Sequence, residues 1–446
     1  MLAATSGKIR GMDSSPSYPG TIEPAEPTAL SDLRLIGFRF TFAYFLLYAL
    51  PSPFNALPFT GWLDSAFEAP WHWVVNLVGT HVLHVAPFTF RPTGSGDTLA
   101  DYVFLACTVG LALLIACVWT AFARTSHHPR LAEGLRIYLR YTLAVIMVGY
   151  GLSKLFAMQF PAPSTFRLIE RIGDASPMGL LWTFMGASTP YQVIAGGLEA
   201  LGAGLLLFRR TATVGALVLV GVMGNVVLLN FCYDVPVKIF SSNLFLTALV
   251  IAAPDARRLF DVLVLNRPTA ARPLLGPRLD QAWMRWSRWG VKAAVIAWVL
   301  GSSGYHQAQR RKQWGPGAPS RIGLTGYYEV ESFQRNGAEV PPLLSETHRW
   351  REVLFTPQGM MLVRRMDDTQ ARFGAKEKAG SAMLELSDPG TRSKRQLTYA
   401  RLGPDQIELT GQWDEAALRV RLKEVKPNFL LNTRGFHWVN EMPFNR

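Results

Sequence analysis

YTLAVIMVGYGLSKLFAM, residues 141–158, is an apolar stretch with one charged residue, Lys154. A helix needs about 20 mostly apolar residues to cross the ~30 Å hydrocarbon layer of a bilayer, so this stretch and the residues before it predict a membrane-spanning helix. An ammonium group inside such a helix is costly unless its stem carries it to water or it meets a partner within the protein. Lys154 therefore marks a position of structural or functional importance.

The composition of the whole chain indicates a membrane part followed by a water-soluble part. The 446 residues are 49% hydrophobic and 17% charged, against about 25% charged in an average soluble protein. Charged residues are sparse between residues 34 and 260 and frequent after residue 306. The formal net charge is +13, and much of this excess lies between apolar runs, as the preference of Lys and Arg for the cytoplasmic side explains. We therefore expect the lipid bilayer, and not nucleic acid, as a partner.

Seven apolar runs reach or approach the length of a membrane-spanning helix. They lie near residues 34–52, 101–123, 138–158, 190–208, 212–232, 237–254 and 289–305. The last run is the shortest, so a six-helix topology stays open. Basic residues between the runs, such as Arg209 and Arg210, fall on one side of a seven-helix arrangement, and that side is predicted to be cytoplasmic. The prediction is a multi-pass protein of the bacterial inner (cytoplasmic) membrane, with a cytoplasmic N-terminus and a periplasmic C-terminal domain.

From about residue 322 the pattern changes to short segments of partly alternating polarity, such as TGYYEVESF and ALRVRLKEV. Turn sequences such as NG, PQG and DPG separate these segments. This pattern is typical of an antiparallel meander of about eight strands, and closure into a small barrel would remove its unpaired edges. The outline is lipocalin-like, and barrels of this size can hold an apolar ligand.

The predicted fold class is a membrane all-α helical bundle of about seven transmembrane helices, followed by a C-terminal antiparallel β-barrel or meander. The expected parts are a disordered cytoplasmic tail (1–33), an N-terminal membrane hairpin with an outer interfacial segment (34–133), a membrane bundle (134–262), a cytoplasmic linker (263–288), a last transmembrane helix (289–305) and the β domain (322–446).

Glu199 is the candidate partner of Lys154. It is the only charged residue in GGLEALGAGLLLF, residues 196–208, where small residues allow another helix to approach closely. Both stems are long enough for the two charges to meet inside the bundle. The pair would then be either a structural ion pair between two helices or part of a functional site. A Lys154 side chain that extends to the outer interface is a third interpretation.

Other polar residues collect on the predicted outer side, which favours a cavity open to the outer leaflet or the periplasm. These residues are Asn225, Asn230, Asp234, Lys238, Arg91 and Asp97. Arg91 and Asp97 belong to RPTGSGDT, residues 91–98, which either wraps an anion with its backbone amides or forms a turn in which Asp97 caps the next helix.

His81 and His84 form an HxxH pair in an apolar segment before the second long run. On a helix, two imidazoles at this spacing lie on one face. A metal site would need a further donor, for which Asp97 and His72 are candidates. The pair is thus a weak metal candidate beside the simpler interpretation of two interfacial histidines.

The segments around Lys154 and Glu199 also carry a resemblance to a family. RYTLAVIMVGYGLSKLF followed by GGLEALGAGLLLFRRTATVGALVLVGVM resembles the core of DoxX-like membrane proteins, over residues ~135–262. The resemblance implies a four-helix membrane bundle in which Lys154 and Glu199 are matching positions and Asn225 or Asn230 is a polar position of the next helix. That family includes a subunit of thiosulfate:quinone oxidoreductase and a component of a mycobacterial membrane oxidoreductase complex.

What the resemblance implies is a quinone- or redox-linked membrane subunit, in or beside a membrane or periplasmic protein complex, with a quinone as the candidate ligand. Lys154 would bind or protonate a quinone-type oxygen, and Glu199 would orient it or relay protons. The catalytic candidates are Lys154, Glu199, Asp234 and Lys238, and the ligand-binding candidates are Asn225, Asn230, Asp97 and Arg91.

Two functions of other classes stay open. One is a non-enzymatic assembly, anchoring or lipid-handling membrane protein with a periplasmic barrel, in which the ion pair is structural. The other is a transporter of small solutes or ions, which repeated and broken helices would support, although the sequence shows no internal repeat. The sequence shows no flavin, haem or iron–sulfur motif, so in a redox role the electrons would come from a partner or a diffusible carrier.

Overall fold

The structure is a computed structural model that describes residues 29–123, 128–270, 281–315, 317–378, 381–388, 390 and 393–445. Helices occupy the chain up to Trp314, and a sheet with one short helix after it follows. The helices are α1 (Ala29–Ala49), α2 (Trp62–His81), α3 (Leu99–Phe122), α4 (Pro129–Leu155), α5 (Thr165–Ile169), α6 (Pro177–Ala187), α7 (Thr189–Leu207), α8 (Ala212–Cys232), α9 (Lys238–Ala252), α10 (Ala256–Leu263), α11 (Ala282–Trp314) and α12 (Leu430–Thr433).

Among the described residues, five stretches of helix are long and apolar enough to cross a membrane, as expected of a membrane protein. They lie at Leu33–Ala56, Leu99–Phe122, Thr189–Leu207, Ala212–Cys232 and Lys238–Leu263. The runs predicted near residues 138–158 and 289–305 lie in α4 and α11, which are more polar. In α4 the charged residues are Arg130, Glu133, Arg136, Arg140 and Lys154.

α4, α7, α8 and α9 form a four-helix bundle, in which α4 packs against α7 and α9, and α8 packs against α7 and α9. The core side chains recur every three or four residues, the spacing that places them on one helical face. Leu139, Leu143 and Met147 of α4 are buried against Leu206 of α7 and Leu219 of α8. α1 and α11 pack on the outside of α4, and α3 packs on α1.

Several boundaries differ from those predicted. α1 begins at Ala29, inside the predicted tail of residues 1–33, of which residues 1–28 lie outside the described part of the chain. α11 begins at Ala282, inside the predicted linker of residues 263–288. Neither α5 nor α6 was predicted, because the chain between α4 and α7 has no apolar run of membrane-spanning length.

The C-terminal part is a closed antiparallel barrel of eight long strands, as predicted. Each long strand pairs with the next one along the chain, and the last pairs with the first, with Tyr327 opposite Val425. The strands are β1 (Gly326–Arg335), the two-residue β2 (Ala338–Glu339) that extends β1, β3 (Trp350–Thr356), β4 (Met360–Arg365), β5 (Gln370–Glu377), β6 (Met383–Ser387), β7 (Lys394–Arg401), β8 (Gln406–Trp413) and β9 (Ala416–Val425). This up-and-down order fits the lipocalin-like outline.

Large side chains fill the interior of the barrel. The rings of Trp350 and Trp413 meet edge to face at 4.7 Å, and Phe373 lies 5.1 Å from Trp413. Leu418 and Val420 of β9 point into the same core. Aromatic rings therefore occupy the space in which a barrel of this size could hold an apolar ligand.

Phe166 of α5 joins the barrel to the helical part. Its buried side chain clusters with Tyr327, Leu354 and Leu362 on the outer face of β1, β3 and β4. The guanidinium of Arg364 donates to the carbonyl oxygen of Ile169 at 2.9 Å. The barrel is therefore held against the segment between α4 and α6, next to the end of α4 that carries Lys154.

Candidate functional site

Lys154 and Glu199 meet inside the bundle. Lys154 lies in the last turn of α4 and is 5% exposed, and Glu199 lies in α7 and is 2% exposed. The ammonium nitrogen donates to the two carboxylate oxygens at 2.7 and 2.8 Å. The interpretation in which Lys154 extends to the interface is therefore wrong. Mutual attraction offsets the cost of taking each charge out of water.

Two glycines bring the backbones close enough for this pair. A Cβ added to Gly151 of α4 would lie 2.9 Å from the carbonyl oxygen of Gly196 of α7. A Cβ added to Gly196 would lie 2.6 Å from the Cβ of Lys154. Small residues at such a crossing allow a close helix–helix approach, and this approach sets the position of the lysine.

A cavity of about 520 Å³ lies beside the ion pair, and we call it the bundle cavity. Residues of α4, α6, α7, α8 and α9 line it. Most of the lining is apolar and includes Met147, Trp182, Met185, Met223 and Phe240. The amide, hydroxyl and charged side chains of the lining belong to Tyr150, Lys154, Gln159, Tyr191, Glu199, Asn225, Asn230 and Ser241. An apolar concavity with a few convergent polar groups is typical of a small-molecule site.

Asn225 and Asn230 both line the bundle cavity, in different surroundings. Asn230 is buried, and its amide donates to the hydroxyl oxygen of Ser241 at 2.9 Å. Asn225 is exposed, and its amide has no hydrogen-bond partner among the residues that the structure describes. Asn225 therefore has both its donors and its acceptor available for a ligand.

Asp97, Asp234 and Lys238 lie together at the outer end of the bundle, the end that holds the C-terminus of α4 and the N-terminus of α9. The Asp97 carboxylate accepts from the backbone N–H groups of Lys238 and Ile239 at 2.7 and 3.0 Å. The Lys238 ammonium donates to Asp234 at 2.8 Å. These contacts join the loop before α3 to the first turn of α9. The residues between Asp234 and Lys238, which are Val235, Pro236 and Val237, line the bundle cavity.

The loop of residues 91–98 is a packed turn. Thr98 caps α3, whereas the predicted cap, Asp97, bonds to α9 instead. The amide of Gly96 donates to the carbonyl oxygen of Pro236 at 2.7 Å, and that of Asp97 to the hydroxyl of Ser95 at 3.1 Å. The loop is therefore the predicted turn, but Asp97 does not cap α3. The amides of Gly96 and Asp97 are used within the protein rather than aimed at an anion.

His81, His84 and Arg91 lie away from the bundle cavity. α2 ends at His81, and His84 has φ +54°, so the two imidazoles do not share a helical face. His72, a candidate third ligand, stacks on Phe90 at 3.8 Å. Within the described ranges, no group of three or more His, Cys, Asp or Glu side chains could hold a metal ion. Arg91 is exposed and lines a separate cavity of about 900 Å³ between α2 and α3.

Sequence reasoning missed two features that position the walls of the bundle cavity. One is Gln192, 1% exposed, which donates to the carbonyl oxygen of Phe160 at 2.8 Å and accepts from its N–H at 3.1 Å. The other is α6, whose Leu181 and Met185 pack with Phe160 over the outer end of the cavity. Ser176 followed by Pro177 is an N-cap and first-turn pair that signals a helix start.

Comparison with known proteins finds one relative for part of this chain. The chain is 33% identical to the uncharacterized protein YwoB of Bacillus subtilis (strain 168) over 129 residues, which is 28% of this chain and 78% of YwoB. No model of a known protein family matches the chain, and no solved structure matches it. Since the match covers more than two thirds of YwoB, this chain belongs to the same protein family as YwoB.

Proposed function

We propose that this chain is a seven-helix, DoxX-like protein of the bacterial inner membrane whose bundle cavity binds the polar head of a quinone-type molecule. The observation that carries the proposal is a mostly apolar cavity of about 520 Å³ with a buried Lys154–Glu199 pair in its wall. α4 and α11 would complete the seven spans. The barrel would lie in the periplasm, in or beside a membrane protein complex, because it packs next to the Lys154 end of α4.

The residues of the cavity fit an oxygen-bearing ring. An ammonium group has three N–H donors. Two hydrogen bonds join it to the two Glu199 oxygens, at 2.7 and 2.8 Å, which leaves Lys154 a donor for a ligand oxygen. The exposed amide of Asn225 offers a second donor on the α8 side. The rings of Tyr150 and Trp182 and the thioethers of Met147 and Met185 suit a flat apolar body.

In this proposal a bound quinone supplies the redox chemistry, with electrons from a partner or a diffusible carrier. Lys154 holds a proton at Nζ beside the cavity and donates to the ligand oxygen. Glu199 keeps the ammonium oriented and charged, and it relays a replacement proton to Nζ when Lys154 passes its own proton to the ligand oxygen. Asp97 acts at a distance, because its carboxylate binds the backbone N–H groups of Lys238 and Ile239 and keeps the start of α9 in place. Asp234 and Lys238 form an exposed ion pair beside it and do not touch the ligand in this proposal.

The test is mass spectrometry of small molecules that co-purify with the full chain in mild detergent. We expect a quinone with the wild type and its loss from Lys154→Ala. Lys292→Ala is the control, because Lys292 lies in α11, outside the bundle cavity, and donates to the backbone oxygen of Leu207. Equal amounts of phospholipid and no quinone in any of the three proteins would contradict the proposal.

A structural role of the ion pair is the second candidate, as part of a non-enzymatic anchoring or assembly protein. It is favoured because both Glu199 oxygens are bonded to Lys154 at a crossing made tight by glycines. Under this alternative, Lys154→Ala abolishes accumulation of the protein and the added change Glu199→Ala restores it. Lipid handling by the barrel is disfavoured, because Trp350, Phe373 and Trp413 fill its interior.

A further inference from the structure

The exposed face of α8 is apolar except where it borders the bundle cavity. Among its exposed residues, six recur at helical spacing and form one face: Val214, Leu217, Gly221, Asn225, Leu228 and Phe231. Four of them carry the apolar side chains expected on a face turned toward lipid. Gly221 and Asn225 do not, and these same two residues line the cavity.

The neighbouring helix α7 also has exposed residues that border the bundle cavity. Ile194 and Leu198 are 64% and 44% exposed, and both also line the bundle cavity. Residues that are exposed and cavity-lining on two neighbouring helices mark the place where the cavity reaches the surface. At the other end of the same helix pair, a Cβ on Gly215 would lie 2.8 Å from the carbonyl oxygen of Gly202. The helices are thus closely packed there, and the opening lies toward the outer end.

The outer end itself is covered. Leu181 and Met185 of α6 are 6% and 7% exposed and pack with Phe160 and Val235 across this end. A molecule that approached from the outer solution would have to displace this cluster. Entry between α7 and α8 requires no such displacement.

The amide of Asn225 is the polar group at this opening. An amide that faces hydrocarbon without a hydrogen bond costs several kcal/mol in transfer measurements, about 2–7 depending on the reference state. Asn225 lies in a helix long and apolar enough to span a membrane, and no described residue bonds to its amide. A ligand oxygen in the opening would remove this cost.

We propose that Gly221 and Asn225 of α8, with Ile194 and Leu198 of α7, frame a lateral opening to the hydrocarbon layer. The ligand is then a membrane-dissolved molecule with a carbonyl-bearing ring and a long apolar tail. Its ring lies in the bundle cavity beside Lys154, within reach of the Asn225 amide. Its tail passes over Gly221 into the bilayer. This inference rests on the proposed function and adds the ligand class and its route.

The experiment compares two naphthoquinones that differ in the tail. Phylloquinone has a long tail, and menadione has the same ring system without it. Binding of each to the full chain is titrated in phosphatidylcholine nanodiscs, for the wild type, Gly221→Leu and Gly110→Leu. Gly110 is the matched control, because it is also an exposed helical glycine with nothing within 4 Å of an added Cβ and it lies in α3, outside the cavity.

We expect Gly221→Leu to weaken phylloquinone binding by about tenfold or more, since the leucine takes the place of several buried methylene contacts, and to leave menadione binding nearly unchanged. Gly110→Leu should bind both like the wild type. Asn225→Ala, which removes atoms and so cannot overpack the opening, should weaken both ligands about fivefold through loss of a hydrogen bond.

Three other outcomes would overturn the lateral opening, and one of them would also overturn the proposed function. Wild-type affinity of Gly221→Leu for phylloquinone overturns the lateral opening while the proposed function stands. Equal loss of both ligands in Gly221→Leu also overturns it, because the leucine would then act on the ring site. A wild type that binds neither quinone overturns the proposed function and this inference with it.

Discussion

A Cβ added to Gly196 of α7 would lie 2.6 Å from the Cβ of Lys154 of α4 and 2.8 Å from the carbonyl oxygen of Gly151. The ion pair of Lys154 with Glu199 therefore depends on a position where α7 has no side chain. The ion pair and the close backbone contact of Gly151 with Gly196 lie at the same crossing of α4 and α7. A change in either contact should therefore alter the other.

Replacing Gly196 by alanine should separate α4 from α7. Because backbone atoms lie within contact distance of the new methyl, we expect destabilisation of about 1–3 kcal/mol, typical of overpacking. The measurement is the thermal unfolding midpoint of the detergent-solubilised protein. Gly197→Ala is the control, since nothing lies within 4 Å of a Cβ there. Equal midpoints for the two variants would contradict the close crossing.

Removing one partner of the ion pair should cost more than removing both charges. Lys154→Met leaves the Glu199 carboxylate buried and unpaired, and breaking a buried pair in this way costs about 3–5 kcal/mol. The double variant Lys154→Met with Glu199→Gln keeps no buried charge and should recover most of that loss. The unfolding midpoints of both single variants and the double variant test this. A double variant as unstable as the sum of the two singles would mean that the charges do not interact.

The barrel should loosen from the helical part when Phe166 is replaced by alanine. Phe166 is buried against Tyr327, Leu354 and Leu362, and loss of such a ring costs about 3–5 kcal/mol in a protein core. Trypsin should then cleave faster at Arg167. Ile172→Ala serves as the control, because that side chain is 82% exposed. Cleavage at the wild-type rate in Phe166→Ala would show that other contacts hold the segment.

Asp97→Ala should destabilise the outer end of the bundle. Its carboxylate accepts from two backbone N–H groups in the first turn of α9, and loss of a helix cap costs about 0.5–2 kcal/mol. Faster hydrogen exchange of the amides of Lys238 and Ile239 would report this loss. Asp234→Ala should have little effect, because the Asp234 side chain is 83% exposed. Similar exchange in both variants would contradict the capping role.

Acid should weaken the contact between β5 and the chain before β1. The Tyr399 hydroxyl and then the backbone N–H of Gly323 hold the pKa of the Glu377 carboxyl below its usual value. A carboxyl with a lower pKa in the folded state stabilises the fold above its unfolded pKa, about 4.3, and this stabilisation is lost as the pH falls through the folded value. Hydrogen exchange at Gly323, corrected for intrinsic rates, should therefore quicken below about pH 4. In Glu377→Gln this extra acid sensitivity should disappear, and its persistence would place the titrating group elsewhere.

Much of the architecture was predictable from sequence because it depends on local patterns. The apolar runs predicted helices that the structure places at nearly the same residues, as for Ala212–Cys232. Alternating polarity with turn residues predicted the closed barrel. Short helices such as α5 and α6 escaped prediction, because the chain there has no apolar run of membrane-spanning length and their packing partners come from distant parts of the chain.

The candidate site was predictable only in part. A single charge in each of two small-residue-rich apolar runs was enough to suggest Lys154 and Glu199 as partners. Asp97 was assigned to the wrong helix, because a capping side chain next to one helix can equally reach the start of another, here α9. Gln192 carried no signal of its own, since an amide in an apolar run is equally compatible with an exposed or a buried position.

The sequence by itself determined the membrane character of the helices, the strand pattern of the barrel and the identity of the two buried charges. The physical reason is that length, apolarity and periodicity act along the chain. Only the tertiary structure decided that Gly151 and Gly196 bring these charges within 2.8 Å, that α6 covers the cavity and that Phe166 holds the barrel. Those relations depend on how each helix is rotated about its axis and placed against its neighbours, and spacing along the chain does not specify that.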